Sequence, residues 1–175
     1  MTGTSATTRY ALSGECRIAY DVVGEGPTVL LHQGFTVHRS AWRTHGYVEA
    51  LKEGFQVVTV DSLGQGDSDK PDDRSRYGRQ HRAGDLVAVL DDLGVAKAHV
   101  IGYSMGAWAA VGVLLYHEPR LASLVLGGWD PLGGVATRRE AARRAGTETS
   151  VDTFLALARS TWPNESSWIT DEARP

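Results

Sequence analysis

Between residues 98 and 115 an apolar, strand-like stretch, Ala98-His99-Val100-Ile101, runs through Gly102-Tyr103-Ser104-Met105-Gly106 into Ala107-Trp108-Ala109-Ala110-Val111-Gly112-Val113-Leu114-Leu115. A strand that becomes a helix across Gly-x-Ser-x-Gly has to turn within one residue, which forces the serine into a strained backbone conformation. The flanking glycines carry no Cβ and so relieve the crowding at such a corner. The hydroxyl of Ser104 then projects at a helix N-terminus, where the dipole and the free N–H groups favour developing negative charge. Ser104 is therefore the leading candidate for a reactive side chain.

The flanking sequence predicts a fold that can hold such a corner. Two alternating segments, near Thr8–Leu12 and Arg17–Val23, are separated by Ser13-Gly14-Glu15 and read as a hairpin. Thr28-Val29-Leu30-Leu31-His32 and Phe55-Gln56-Val57-Val58-Thr59-Val60-Asp61 are continuous apolar runs, as expected of strands buried on both faces. One helix is predicted over Ser40–Lys52, ended by Gly54. A second is predicted over Gln80–Leu93, where Ala83, Leu86, Val89, Leu90 and Leu93 keep helical spacing and Gly94 provides the stop. Pro119 closes the helix after the Ser104 corner, and Leu121–Leu126 reads as a sixth strand. Strands alternating with helices imply parallel βαβ units covered on both faces. Charged and mixed helices are predicted over Thr137–Ala145 and Val151–Trp162, so residues 1–133 read as one core and 134–175 as the start of a helical cap.

Bulk properties narrow the function. At 175 residues and 42% hydrophobic the chain can bury one substantial core. A net charge of −3 argues against non-specific nucleic-acid binding. A lone Cys16 permits no internal disulfide. No apolar run approaches the roughly 20 residues needed to span a bilayer, and the first residues lack a signal-peptide pattern. A cytoplasmic protein with no membrane partner is expected. Gly64-x-Gly66 is a poor dinucleotide loop, because position 69 is Asp and no helix follows at once. The histidines lack metal-ligand spacing, and Arg138, Arg139, Arg143 and Arg144 read as a solvated helix face. No cofactor and no metal is expected.

With these segments placed, the chain resembles the α/β-hydrolase superfamily from about Tyr10 to Gly133. Three signatures occur in the family's order. His32-Gln33-Gly34-Phe35 stands where the family has a His-Gly loop, with one residue inserted. Asp61-Ser62-Leu63-Gly64-Gln65-Gly66-Asp67-Ser68-Asp69 matches a D-x-x-G-x-G-x-S-D turn. Gly102–Gly106 matches the nucleophile elbow. The resemblance implies an α/β fold with a mostly parallel, doubly wound sheet, of which this chain carries the first six strands and lacks the last two. It implies Ser104 as a nucleophile that forms a covalent acyl-enzyme on a small ester or acyl substrate. Backbone N–H groups of Met105 and Phe35 would form the oxyanion hole, and His32, Gly34, Tyr103 and Trp129 would line the substrate site. Epoxide- and haloalkane-opening relatives carry aspartate at the elbow, so serine favours ester, thioester, amide-like or carbon–carbon hydrolysis. Serine-bearing relatives that perform cofactor-free peroxidation or lyase reactions share the pattern.

The rest of a catalytic triad is harder to find. The family order is Ser, then Asp or Glu, then His. Asp130, after the sixth strand, is the candidate acid, although an Asp before Pro is also an ordinary turn residue. His117 is the only histidine after Ser104. It lies thirteen residues along the elbow helix, nearly 20 Å away at about 1.5 Å per residue, which is too far for a base. His32 is expected to orient the oxyanion loop, His38 and His45 to be surface residues, His81 to start a helix and His99 to be half-buried core. The alternative function is therefore a catalytically incomplete hydrolase-like fragment or binding module. The sixth strand is expected to expose an apolar edge, Leu124-Val125-Leu126, open to self-association.

Overall fold

The computed structural model describes residues 7–129 together with residue 131. Six strands form one sheet: β1 (Arg9–Ser13), β2 (Cys16–Val23), β3 (Thr28–His32), β4 (Gln56–Val60), β5 (Ala98–Tyr103) and β6 (Leu121–Gly127). Their spatial order is β1-β2-β4-β3-β5-β6. β1 and β2 form the predicted hairpin, and β2 joins β4 antiparallel. The neighbours β4, β3, β5 and β6 all run parallel.

Side-chain alternation divides the core between the two faces of the sheet. Leu30, Val58, Val60 and Val100 point to one face, where they pack with Leu86 and Leu90 of α3 (Arg79–Asp92) and Val113 of α4 (Met105–Tyr116). Val29, Leu31 and Val57 point to the other face and meet Trp42 of α1 (Ala41–Thr44) and Val48 of α2 (Tyr47–Leu51). An apolar run such as Val29-Leu30-Leu31 can face the core on both sides of the sheet, and β3 is buried along its whole length. The doubly wound α/β architecture expected from the sequence is thus present.

One predicted element is corrected. The single helix expected over Ser40–Lys52 is two short helices, α1 and α2. The chain breaks at Gly46, whose φ of 81° lies in the left-handed region and cannot continue a helix. The helices predicted over Thr137–Ala145 and Val151–Trp162, and the division of the chain at residue 133, lie outside the described residues. No helix among the described residues is long and apolar enough to cross a membrane.

The strand register positions everything that follows. His32 pairs with Val60 on one side and with Gly102 on the other, and Gly102 pairs with Leu126. The carboxyl ends of β4, β3, β5 and β6 therefore lie abreast, and the loops leaving them converge. This is the end of an open parallel sheet where ligands bind.

Candidate active site

Ser104 sits at the corner between β5 and α4 with φ 55° and ψ −114°. Thr36 is the one other non-glycine residue with positive φ among those described. Such a conformation costs about 1–3 kcal/mol and persists only where the surroundings over-determine it. Here they do. The Ser104 N–H donates to the Gly127 carbonyl at 2.7 Å, and its carbonyl accepts from Trp108 N–H at 3.1 Å. The two glycines of the motif are needed for close approach. A Cβ on Gly102 would stand 2.5 Å from the Gly106 carbonyl oxygen, and one on Gly106 would stand 2.0 Å from the His32 carbonyl oxygen. The corner is tight enough that β5, α4 and the end of β3 touch through bare backbone.

The loop after β3 closes over the serine. A Cβ on Gly34 would lie 3.3 Å from Ser104 Cβ and 3.7 Å from its Oγ, so this glycine sits directly against the candidate nucleophile. Met105 is the first residue of α4, and the first N–H groups of a helix have no partner within it. Phe35 follows Gly34 and is exposed at the same end of the sheet. A cleft of about 210 Å³ opens beside this corner, lined by Ser104, Met105, Trp108 and Trp129. One face of the Trp108 ring carries the Arg79 guanidinium, 5.2 Å from the ring centroid.

Two of the expected residues, His32 and Tyr103, are not among those that line this cleft. His32 is 1% exposed, and its Nε2 is 2.5 Å from Ser62 Oγ, so the ring is part of the interior rather than of the cleft. Burial, aided by the nearby Arg82 charge, pulls its pKa down to about 3, and the ring is neutral at physiological pH. Tyr103 is 54% exposed and its ring lies against Gly127 and Gly128. Gly34 and Trp129 are at the site. Asp130 lies outside the described residues.

No described histidine is bonded to Ser104. His38 faces Asp61 and Asp67 at 3.2 and 3.4 Å, and His99 meets Ser123 Oγ at 2.8 Å. His117 caps the far end of α4, while His45 and His81 are exposed. With His32 these make up all six histidines of the chain.

The turn after β4 is built around a buried charge cluster that composition could not disclose. Asp61 accepts from the backbone N–H groups of Arg39 (2.7 Å) and Asp67 (3.0 Å) and pairs with the Arg39 guanidinium. Arg39, 3% exposed, also reaches Asp67 at 2.8 Å and Asp21 at 3.1 Å. Burial opposes its charge, but the carboxylates outweigh burial and hold its pKa above the ordinary value. The Arg39 hydrogen bond in turn holds the Asp67 carboxyl below the usual range. His38, Asp61 and Asp67 could in principle gather around a cation. The Arg39 guanidinium already supplies that positive charge, so the cluster does not fit a metal.

A strained serine at a strand-to-helix corner, backed by a glycine loop at the carboxyl end of a parallel sheet, defines a family. The chain belongs to the alpha/beta hydrolase fold family, whose model matches residues 27–131. Epoxide hydrolase 3 of Siraitia grosvenorii is 37% identical over 59% of this chain and 32% of its own length. The provisionally named carbamate hydrolase RutD of Caulobacter vibrioides is 40% identical over 58% of this chain and 37% of its own. Among solved structures, epoxide hydrolase A from Mycobacterium thermoresistibile has a TM-score of 0.69 and 28% identity, covering 82% of this chain and 46% of that one. The match thus spans from about a third to just under half of the length of these relatives.

Proposed function

We propose that Ser104 is the nucleophile of a hydrolase acting on a small ester or other acyl substrate. The observation that carries the reading is the backbone of Ser104, φ 55° and ψ −114°, at the first turn of α4 and in contact with Gly34. In this reading Ser104 Oγ attacks the acyl carbon, the leaving alcohol departs with a proton, and water releases the acyl group. Backbone N–H groups of Met105 and Phe35 hold the developing oxyanion, a contribution of about a hundredfold or more in rate for each donor. Asp130, just after β6, is the proposed acid. Trp108 and Trp129 line the cleft with largely apolar side chains, suited to the uncharged part of an ester. Epoxide-named relatives do not carry this reading over, because serine rather than aspartate stands at the elbow. The proposal places such a chain in the cytoplasm, with a small molecule as its partner.

A second reading is favoured by one observation: none of the chain's six histidines is bonded to Ser104. A hydroxyl without a base is a weak nucleophile. On this reading the chain is a hydrolase-like binding module, catalytically incomplete by itself. A fluorophosphonate probe separates the two. Labelling that disappears in Ser104→Ala supports the nucleophile. An unlabelled, folded chain supports the binding module.

A further inference from the structure

The turn after β4 supplies one side chain that touches both halves of the proposed oxyanion hole. Gln65 is 2% exposed. Its Oε1 accepts the backbone N–H of Thr36 at 2.6 Å, and its Nε2 donates to Met105 Sδ at 3.7 Å. Its own backbone is fixed on both sides, since Gln65 N–H donates to the Ser62 carbonyl and the Gln65 carbonyl accepts from Ser68 N–H. Thr36 adjoins Phe35, and Met105 adjoins Ser104. One buried amide therefore spans the loop after β3 and the first residue of α4 from a rigid turn.

Thr36 supplies an independent sign that this bridge acts under load. It is β-branched, fully buried and held at φ 70°, a conformation that such residues rarely adopt. Left to itself the loop would relax toward negative φ. The short bond to Gln65 Oε1 is among the contacts that oppose this relaxation. The other arm is a weaker bond, since a thioether is a poor acceptor, and it limits the swing of the Met105 side chain over the cleft.

We propose that Gln65 is the positioning residue of the oxyanion hole, setting the spacing between the Phe35 and Met105 N–H donors by clamping Thr36 to the elbow helix. The proposal rests on the nucleophile reading for its catalytic consequence, while the clamp itself is a structural claim. It predicts that losing the amide loosens the loop without unfolding the sheet, because Gln65 lies in the turn after β4 and contributes to no strand.

The test uses the full chain and two readouts. In Gln65→Leu, hydrogen exchange at the Thr36 amide should accelerate at least tenfold. The fluorophosphonate labelling rate at Ser104, normalised to folded protein, should fall about tenfold to a hundredfold, as expected when a donor is displaced. Gln65→Glu, which keeps an oxygen facing Thr36, should retain most of the protection and recover part of the labelling. If Gln65→Leu does not fold, Gln65→Glu decides: unprotected Thr36 in that folded variant contradicts the clamp. A Thr36 amide still protected in Gln65→Leu overturns the proposal, as does labelling at the wild-type rate. Absence of labelling in the wild type would refute only the nucleophile reading, and the exchange measurement would still decide the clamp.

Discussion

Gly106→Ala is the substitution on which packing at the elbow bears most heavily. The new methyl would stand 2.0 Å from the His32 carbonyl oxygen, 2.6 Å from its carbon and 2.7 Å from the Gln33 carbonyl oxygen. Ordinary carbon contacts lie at about 3.5–4.0 Å, so β3 and α4 would have to separate by more than an ångström. Both obstacles are main chain, and no side chain can swing aside. Overpacking with side-chain relief costs about 1–3 kcal/mol, so without relief the cost should be about 3 kcal/mol or more. For a chain of this size each kcal/mol moves Tm by about 2–4 °C, giving a fall of about 6–12 °C by circular dichroism. Gly84→Ala is the control: it lies within α3 with nothing within 4 Å of its added Cβ. It should gain about 0.5–1 kcal/mol from helix propensity alone. A Gly106→Ala protein that melts within about 2 °C of wild type would refute the packing argument.

Three further outcomes follow from other parts of the molecule. Arg39→Met leaves the buried Asp61 carboxylate without its guanidinium and should cost about 3–5 kcal/mol in denaturant titration, whereas a loss below 1 kcal/mol would show the cluster to be incidental. Because the folded-state pKa of His32 is depressed to about 3, the unfolded chain takes up a proton that the native chain excludes as pH falls below the ordinary imidazole value. Stability should therefore decline between about pH 6.5 and 3 by up to about 1.4 kcal/mol per pH unit, and His32→Gln should melt with a shallower pH profile over pH 7 to 4.5. β6 borders the sheet among the described residues, and Val125 on it is 54% exposed. We propose that the chain self-associates along this edge. Val125→Lys should shift the sedimentation profile toward monomer, and a wild-type chain that is already a monodisperse monomer would contradict this.

How much of this was legible in the sequence depends on whether the deciding contact is local. The β3, β4 and β5 strands could be read because unbroken apolar runs have few other uses, and α3 could be read from its helical spacing. The corner at Ser104 was legible because its two glycines are demanded by a turn only five residues long. The break at Gly46 was not, since a lone glycine inside a helical pattern is usually tolerated and nothing local marks this one for a left-handed φ. His32 illustrates a different limit. Its place at the end of β3 could be read from the sequence, but its ring turns inward to Ser62. The Gln65 bridge and the Arg39–Asp61 pair went unread because the bonds that define them, to Thr36, to Met105 and between Arg39 and Asp61, join residues 22 to 40 positions apart. Burial of a polar side chain is a property of the folded sheet, and no local pattern announces it.

The central claim is that the fold forces the residue at 104 into a backbone conformation that costs an L-amino acid energy. Thermal melting of Ser104→Gly beside Ser104→Ala tests it directly, because neither variant retains the hydroxyl and they differ only by a Cβ. Ordinarily glycine is the less stable of the two by about 0.5–1 kcal/mol. At a corner with φ 55° the order should reverse, with Ser104→Gly melting above Ser104→Ala. If Ser104→Ala melts higher by the usual margin, the corner is unstrained and the account of this site is wrong.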